Sequence, residues 1–339
     1  MRTVPKGHVY LTRPMSEKVM RQAEALPAPL AMHPDRDFPP SRNELLEGCR
    51  GATAIITMLT EKIDDEVLEA AGPGLKVVAN VAVGYDNIDV EAAARRGITV
   101  TNTPGVLDEA TADLAFALML ATVRRVGEAD RFIRTGQPWI WGPQSFVGLD
   151  VSAGATLGIV GLGRTGMAVA RRAKAFRMNI IATGSRASTP EAAELGVQPC
   201  DLDTLLRTSD VVSLHCPLTG TNRHMIGAQQ LAAMKAGSYL INTARGPLVD
   251  EDALADAVES GHLAGAGLDV HEFEPKVNNR LRSLENVVVL PHIGSAAAAT
   301  RDSMGELAIR NVAAVLSGQA ALTPVLPAGL KQELLPTRG

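Results

Sequence analysis

Gly161-Leu162-Gly163-Arg164-Thr165-Gly166 is the stretch that decides the fold of this 339-residue chain. Before it runs Thr156-Leu157-Gly158-Ile159-Val160, an apolar segment that reads as a buried parallel strand. After it comes Met167 to Phe176, whose Ala, Met and Arg content favours helix. Strand, glycine turn and helix together form the context of a dinucleotide-binding fingerprint. The first glycine permits the tight turn, the second lets the backbone approach a pyrophosphate, and the third lets helix and strand pack closely. The helix N-terminus offers the phosphates free N–H groups and a positive dipole end. Gly161, Leu162, Gly163, Arg164, Thr165 and Gly166 are therefore the first candidates for cofactor contact. A bare GxGxxG would be a common glycine turn; the flanking elements make it a fingerprint.

The next strand, Asn179–Thr183, runs into Gly184-Ser185-Arg186. An NAD-type site places an Asp or Glu about 20 residues after the glycines, to bind the adenosine ribose. No carboxylate stands here. Arg186 would attract a 2′-phosphate and Ser185 adds a neutral donor, so these two residues predict a preference for NADP(H) over NAD(H). As a plain surface residue, Arg186 would be only a solvated charge.

Moving outward, strands and helices alternate on both sides. Strands are predicted at 8–12, 54–59, 76–80 and 99–102, with helices capped at Ser16 and at about 41–48, 64–71 and 89–96. Pro27 to Pro40 reads as a surface loop. Asn102-Thr103-Pro104-Gly105 breaks the pattern, and one long helix is predicted from Asp108 to Thr135. Gly136 to Leu149 is loop-like and holds Trp139 and Trp141. Beyond the fingerprint unit, further strands are predicted at 197–200, 211–216, 238–243, 265–270 and 287–292, and a last helix at 298–317. Residues 1–7 and the stretch after Val325 read as ragged ends. The alternation implies an α/β protein with right-handed crossovers and parallel sheets.

Composition narrows the class. Hydrophobic residues make up 46%, charged residues 21%, and the net charge is −4. That is an ordinary globular balance, with no basic, aromatic-interleaved run to hold nucleic acid. No apolar run reaches the ~18 residues of a membrane span, and the N-terminus lacks a signal-peptide pattern, so the cytoplasm is the expected compartment. Cys49, Cys200 and Cys216 are too few and scattered for a disulfide framework or a zinc site, and no metal is expected.

In an open parallel sheet, ligands sit beyond the carboxyl ends of the strands. After the strand at 238–243 come Ala244-Arg245-Gly246. After 265–267 comes Leu268-Asp269-Val270-His271-Glu272-Phe273-Glu274-Pro275. After 287–290 comes Pro291-His292-Ile293-Gly294. An Arg, a carboxylate and a His thus meet on the edge that holds the cofactor. A lone Arg is usually a surface ion pair and a lone His a structural residue; their convergence suits hydride transfer to a 2-keto acid. Arg grips the carboxylate or polarises the carbonyl, and His protonates the oxygen that becomes an alkoxide. A neighbouring carboxylate would favour the charged imidazole.

With these residues in view, the chain resembles the D-isomer-specific 2-hydroxyacid dehydrogenases, and among them the glyoxylate/hydroxypyruvate reductases. The resemblance spans about residues 8–325. It is carried by VAVGYDNID at 81–89, TNTPGVL at 101–107, ATADLAFALML at 110–120, GIVGLGRTG at 158–166, LHCPLT at 214–219, LINTARGPLVDE at 240–251, AGAGLDV at 264–270 and PHIGSA at 291–296. It implies two Rossmann-like or flavodoxin-like domains, the substrate domain being discontinuous. The implied boundaries are 1–104 with 294–326 for the substrate domain, 105–293 for the NADP-binding Rossmann domain, and 327–339 as a tail. Closure about hinges near 102–105 and 293–297 would exclude water.

The resemblance places the catalytic set on Arg245, Glu274 and His292. Glu272 is a rival by proximity, but the spacing from Asp269 favours Glu274. His215, Cys216, Pro217, Thr243, Ala244, Asp269 and Gly294 fall on the cofactor side. Leu59, Val83 and Gly84, with Arg245 and His292, fall on the substrate side. Trp141 matches a residue that in such reductases reaches the partner's substrate in a homodimer; it could equally pack in that interface. His271 departs from the pattern, since most relatives carry an aromatic residue there. The implied activity is NADPH-dependent reduction of glyoxylate to glycolate and of hydroxypyruvate to D-glycerate. Alternatives are a 2-ketogluconate reductase or another D-2-hydroxyacid dehydrogenase. From a different class, there is a non-catalytic, dinucleotide-sensing protein resembling the corepressors built on this fold.

Overall fold

The structure, a computed structural model, describes residues 7–327. The expected ragged start and the 327–339 tail therefore lie almost wholly outside the described residues. The chain divides into two compact units, one built from the stretch up to Leu107 with the stretch from Ala297 onward, the other from Asp108–Ala296.

The first unit holds strands β1 (His8–Leu11), β2 (Leu30–Met32), β3 (Ala52–Thr57), β4 (Val77–Asn80), β5 (Thr99–Thr101) and β13 (Pro324–Val325). Its helices are α1 (Glu17–Glu24), α2 (Arg42–Cys49), α3 (Asp65–Ala71), α4 (Val90–Arg95) and α13 (Ala298–Leu316). The sheet order is β13-β5-β4-β3-β1-β2, parallel except for β13, which is the flavodoxin-like order with one added edge. Helices start where the sequence supplies a cap: Ser16, Ser41, Asp64 and Asp89 each accept a hydrogen bond from a first-turn N–H. Such caps are worth about 1 kcal/mol each. Strand alternation divides the core. Val9 and Leu11 pack with Val19 and Met304 on one face, and Tyr10 packs with Leu45 and Leu68 on the other. β2 lies inside the stretch predicted as a loop. Its three residues line the edge of β1 and stay partly exposed, which suits a proline-flanked edge strand.

The second unit holds β6 (Thr156–Val160), β7 (Asn179–Thr183), β8 (Val197–Pro199), β9 (Val211–Leu214), β10 (Tyr239–Asn242), β11 (Gly265–Leu268) and β12 (Val287–Val289). Its helices are α5 (Asp108–Val123), α6 (Val126–Arg134), α7 (Arg164–Ala175), α8 (Pro190–Glu194), α9 (Leu202–Thr208), α10 (Ala228–Ala233), α11 (Glu251–Glu259) and α12 (Asn279–Ser283). The all-parallel order β12-β11-β10-β9-β6-β7-β8 is the Rossmann arrangement, reversing direction between β6 and β9.

The single helix predicted over 108–135 is two. Arg125 adopts a left-handed φ of 54°, and the Leu149 N–H donates to the Val123 carbonyl at 2.9 Å, which takes an acceptor from the next helical turn. The Arg125 guanidinium pairs with Glu128 and lies 5.4 Å from the Phe146 ring centroid, fixing the bend.

Among the described residues no helix is long and apolar enough to cross a membrane, and no group of three His, Cys, Asp or Glu is placed to hold a metal ion. The three cysteines are unbridged, and burial pushes the Cys49 thiol up to about 12.

Candidate active site

The reversal between β6 and β9 opens a crevice at their carboxyl ends. Gly161 turns there with φ 95°, and a Cβ on it would lie 2.6 Å from the Cys216 nitrogen. Its N–H and that of Leu162 donate to the Thr183 carbonyl, which ties the turn to β7. A Cβ on Gly166 would collide with the Gly161 oxygen, so helix and turn close on each other. At Gly163 an added Cβ would meet nothing within 4 Å, and the N-terminus of α7 has no side-chain cap. Open space above uncapped N–H groups is what a pyrophosphate needs. Arg164 is exposed beside that space, and the Thr165 hydroxyl donates to Asp108.

Two buried polar atoms without a hydrogen-bond partner stand at neighbouring strand ends: His215 Nδ1 after β9 and Thr243 Oγ1 after β10. They too suit a polar ligand lying across these ends. The His215 backbone donates to the Val160 carbonyl, and its Nε2 meets the Ser213 hydroxyl at 2.8 Å. Burial pushes this imidazole down to about 4, so it is neutral and no proton donor near neutrality. Asn222 holds the Pro217 carbonyl. Beyond β7, Arg186 pairs with Glu191 at 2.5 Å while its side chain stays 39% exposed.

Farther along the sheet, β10, β11 and β12 end side by side. Arg245 and His292 each lie three residues past their strand. With strands about 4.8 Å apart, two strand steps separate their turns by about 10 Å. A backbone ladder holds these turns in register. The Asn242 side chain accepts the Ala244 N–H and donates to the Arg245 carbonyl. The Asp269 N–H donates to the Asn242 carbonyl, and the His292 N–H donates to the Asp269 carbonyl at 2.8 Å. Asn242, a buried polar residue closing an apolar strand, is a positioning residue that the motif reading passed over.

Asp269 is 1% exposed, and its two carboxylate oxygens accept the Ile293 and Gly294 N–H groups at 2.7 and 2.8 Å. Burial pushes this carboxyl above its usual range, although both N–H groups and His292 pull the other way. These bonds hold His292 at φ 56°, a left-handed conformation costing about 1–3 kcal/mol outside glycine. The His292 Nδ1 meets Glu274 Oε2 at 2.9 Å, and Glu274 Oε1 accepts the His271 N–H at 3.0 Å. Burial works to raise Glu274, but the His292 hydrogen bond and charge, with that N–H, outweigh it and leave the carboxyl below its usual range. Glu272 faces elsewhere: it is bound by Arg223 and by His224 Nε2, both on the turn after β9. The contact with His292 thus falls to Glu274.

In the first unit, Leu59 lies on the turn after β3, and Val83 and Gly84 on the turn after β4. Buried Glu61 organises the first turn, accepting from Thr12, Thr57, Thr60 and the Met58 N–H. Asn87 joins the turns through the Met58 and Glu61 carbonyls, while Asn80 holds the Gly84 carbonyl and Asn102 that of Val83. In the second unit Trp141 is 79% exposed beside exposed Trp139 and Ile140.

A Rossmann sheet with a phosphate-ready glycine turn, and an imidazole–carboxylate pair two strands from an arginine turn, defines an oxidoreductase that uses a nicotinamide dinucleotide. Comparison with known proteins agrees. A model of the D-isomer specific 2-hydroxyacid dehydrogenase NAD-binding domain matches residues 116–294, and the chain belongs to that family. It is 49% identical over 320 residues to a glyoxylate reductase of Thermococcus litoralis, covering 93% of this chain and 95% of that one. A crystal structure of a Thermus thermophilus protein superposes with a TM-score of 0.87 at 44% identity, covering 94% of this chain and all of the other. An NADPH-dependent glyoxylate/hydroxypyruvate reductase of Sinorhizobium meliloti, solved with NADP and malonate, superposes with a TM-score of 0.80 at 34% identity, covering 95% and 97%.

Proposed function

We propose that the chain reduces small 2-keto acids with NADPH, taking glyoxylate to glycolate and hydroxypyruvate to D-glycerate. The observation that carries this reading is the 2.9 Å contact between His292 Nδ1 and Glu274. With Nδ1 engaged, Nε2 is the nitrogen left to face a substrate, and the carboxylate stabilises the charged ring. When bound, the nicotinamide supplies the hydride that reduces the substrate's carbonyl carbon. His292 delivers a proton from Nε2 to the oxygen left on that carbon. Arg245 holds the substrate's carboxylate and stabilises the developing negative charge. From the first unit, this reading assigns substrate recognition to the Val83 and Gly84 backbone and to Leu59. In a homodimer, Trp141 closes the partner's substrate site. The names of the Thermococcus and Sinorhizobium relatives support this choice of substrate.

The test is cofactor oxidation, with NADPH and NADH, over glyoxylate, hydroxypyruvate and 2-ketogluconate. Turnover highest on the two small acids supports the reading. Tight cofactor binding without turnover on any keto acid overturns it in favour of a sensing protein.

The absence of a carboxylate after β7 supports the NADPH preference. The exposed Arg186–Glu191 pair is worth at most about 1 kcal/mol, so the guanidinium is readily exchanged onto a 2′-phosphate. Losing such a charge-assisted contact costs about 1.5–3 kcal/mol. Arg186→Ala should therefore lower the ratio of kcat/KM with NADPH to that with NADH by about 10- to 100-fold. A wild-type preference for NADH, unchanged in the variant, would show that Arg186 is only a surface charge.

A further inference from the structure

The residue that departs from the family pattern, His271, sits directly behind Glu274. It is 4% exposed. Its backbone N–H donates to Glu274 Oε1, and its ring Nε2 lies 3.0 Å from the Leu290 carbonyl, two residues before His292. A carbonyl can only accept, so Nε2 carries a proton. Nδ1 then faces Glu251 Oε1 at 3.6 Å, too long for a hydrogen bond but within ion-pair range. In a neutral ring, the Nδ1 lone pair would point at a buried carboxylate. In a charged ring, an N–H⁺ faces it. Glu251 is itself buried and oriented, since its Oε1 also accepts the Glu272 N–H at 2.9 Å.

We propose that His271 is a positioning residue: a buried imidazolium, held between Glu251 and the Leu290 carbonyl, that clamps the 271–274 turn to the strand end bearing His292 and keeps Glu274 ionised. The proposal rests on the reading of Glu274 and His292 given above. The charges around the ring are Glu251 at the start of α11, and Glu272 and Glu274 on its own turn. His292 lies across Glu274, and Arg223 and His224 are engaged with Glu272. Asp250 caps α11 through the Ala253 N–H and lies 4.0 Å from His224, and Asp269 faces the 293–294 backbone. Burial disfavours the charge on His271, yet Glu251, the Leu290 carbonyl and Glu274 outweigh it and hold the imidazole above its ordinary value. Because the folded ring binds its proton more tightly than the unfolded one, this clamp stabilises fully below about pH 6.5. Its contribution fades as pH rises through the raised folded-state value.

Two readouts test the proposal. In histidine-labelled protein, the ring resonance lost in His271→Gln should report a cation at pH 7 in wild type and a neutral ring in Glu251→Gln. In the pH profile of kcat/KM for keto-acid reduction, the acid limb should move up by about half a unit or more in both His271→Phe and His271→Gln. Gln can still donate to the Leu290 carbonyl, so it should recover more thermal stability than Phe while leaving the limb displaced. A neutral His271 at pH 7, or an unmoved acid limb in both variants when His292→Ala is inactive, overturns the proposal. Near-normal turnover by His292→Ala would instead sink the assignment of Glu274 and His292, and the resonance alone would then decide whether His271 is the buried cation described.

Discussion

His292→Ala should lower kcat for keto-acid reduction by about 10²- to 10⁴-fold, the range that a positioned general acid contributes. Cofactor binding should change little, because the glycine turn at 161–166 and the uncapped start of α7 do not involve His292. Expected effects on the two parameters differ for a physical reason. Protonation is needed only as the oxygen acquires charge, so the loss falls on the transition state and less on the ground-state complex. His215, His224 and His271 are each committed elsewhere, His224 to Glu272. His215 is neutral, pushed down to about 4 by burial, and His271 is engaged by the Leu290 carbonyl and Glu251. Alanine also relieves no clash and leaves the Asp269 bonds to the 293–294 backbone in place, so folding should survive. The comparison is steady-state kcat against cofactor affinity by fluorescence titration. A variant retaining a third or more of wild-type turnover would mean that another group, or water, supplies the proton.

How far these residues could be seen in the sequence follows from what each depends on. The glycine turn was legible because its spacing encodes it: Gly166 closes on the Gly161 oxygen five residues back, and φ 95° at Gly161 calls for glycine whatever strand it packs against, here the Cys216 turn. Helix starts at Ser16, Ser41, Asp64 and Asp89 were legible for the same reason. The Arg, carboxylate and His turns could be aligned because a parallel sheet puts every strand's carboxyl end on one edge. The bend at Arg125 was not legible. No Pro marks it, Gly127 two residues on stays inside the second helix, and the N–H that intercepts the Val123 carbonyl comes from Leu149. Spacing from Asp269 favoured Glu274 over Glu272, but it carried no physical reason for the choice. What separates them is Arg223 and His224, some fifty residues upstream, which claim Glu272 and leave Glu274 to the His292 imidazole. Long-range partners decide such cases, and a periodicity does not carry them.

Asp269→Asn should cost about 10²-fold in kcat while leaving cofactor affinity within a few-fold of wild type. Resemblance alone puts Asp269 on the nicotinamide side of the pocket, where a substitution would weaken the cofactor directly. Its hydrogen bonds argue for a different route. Both carboxylate oxygens accept backbone N–H groups, from Ile293 and Gly294, and its carbonyl accepts the His292 N–H. Together these three bonds hold His292 in a left-handed conformation that is unfavourable by about 1–3 kcal/mol. An amide offers one acceptor where two are needed and turns an N–H₂ toward a backbone N–H. One buried donor then goes unpaired, at about 1–3 kcal/mol, which is enough to let the 292–294 turn relax toward ordinary φ. The Nε2 atom moves with it, and a displacement of about 1 Å is enough for a 10²-fold loss in rate. Asp269→Ala, which removes both acceptors, should lose at least as much and should lower Tm further than Asn does. Equal damage to cofactor affinity and kcat in Asp269→Asn would return Asp269 to direct contact with the nicotinamide. Intact kcat in both variants would show that the left-handed His292 is held by the rest of the turn without it.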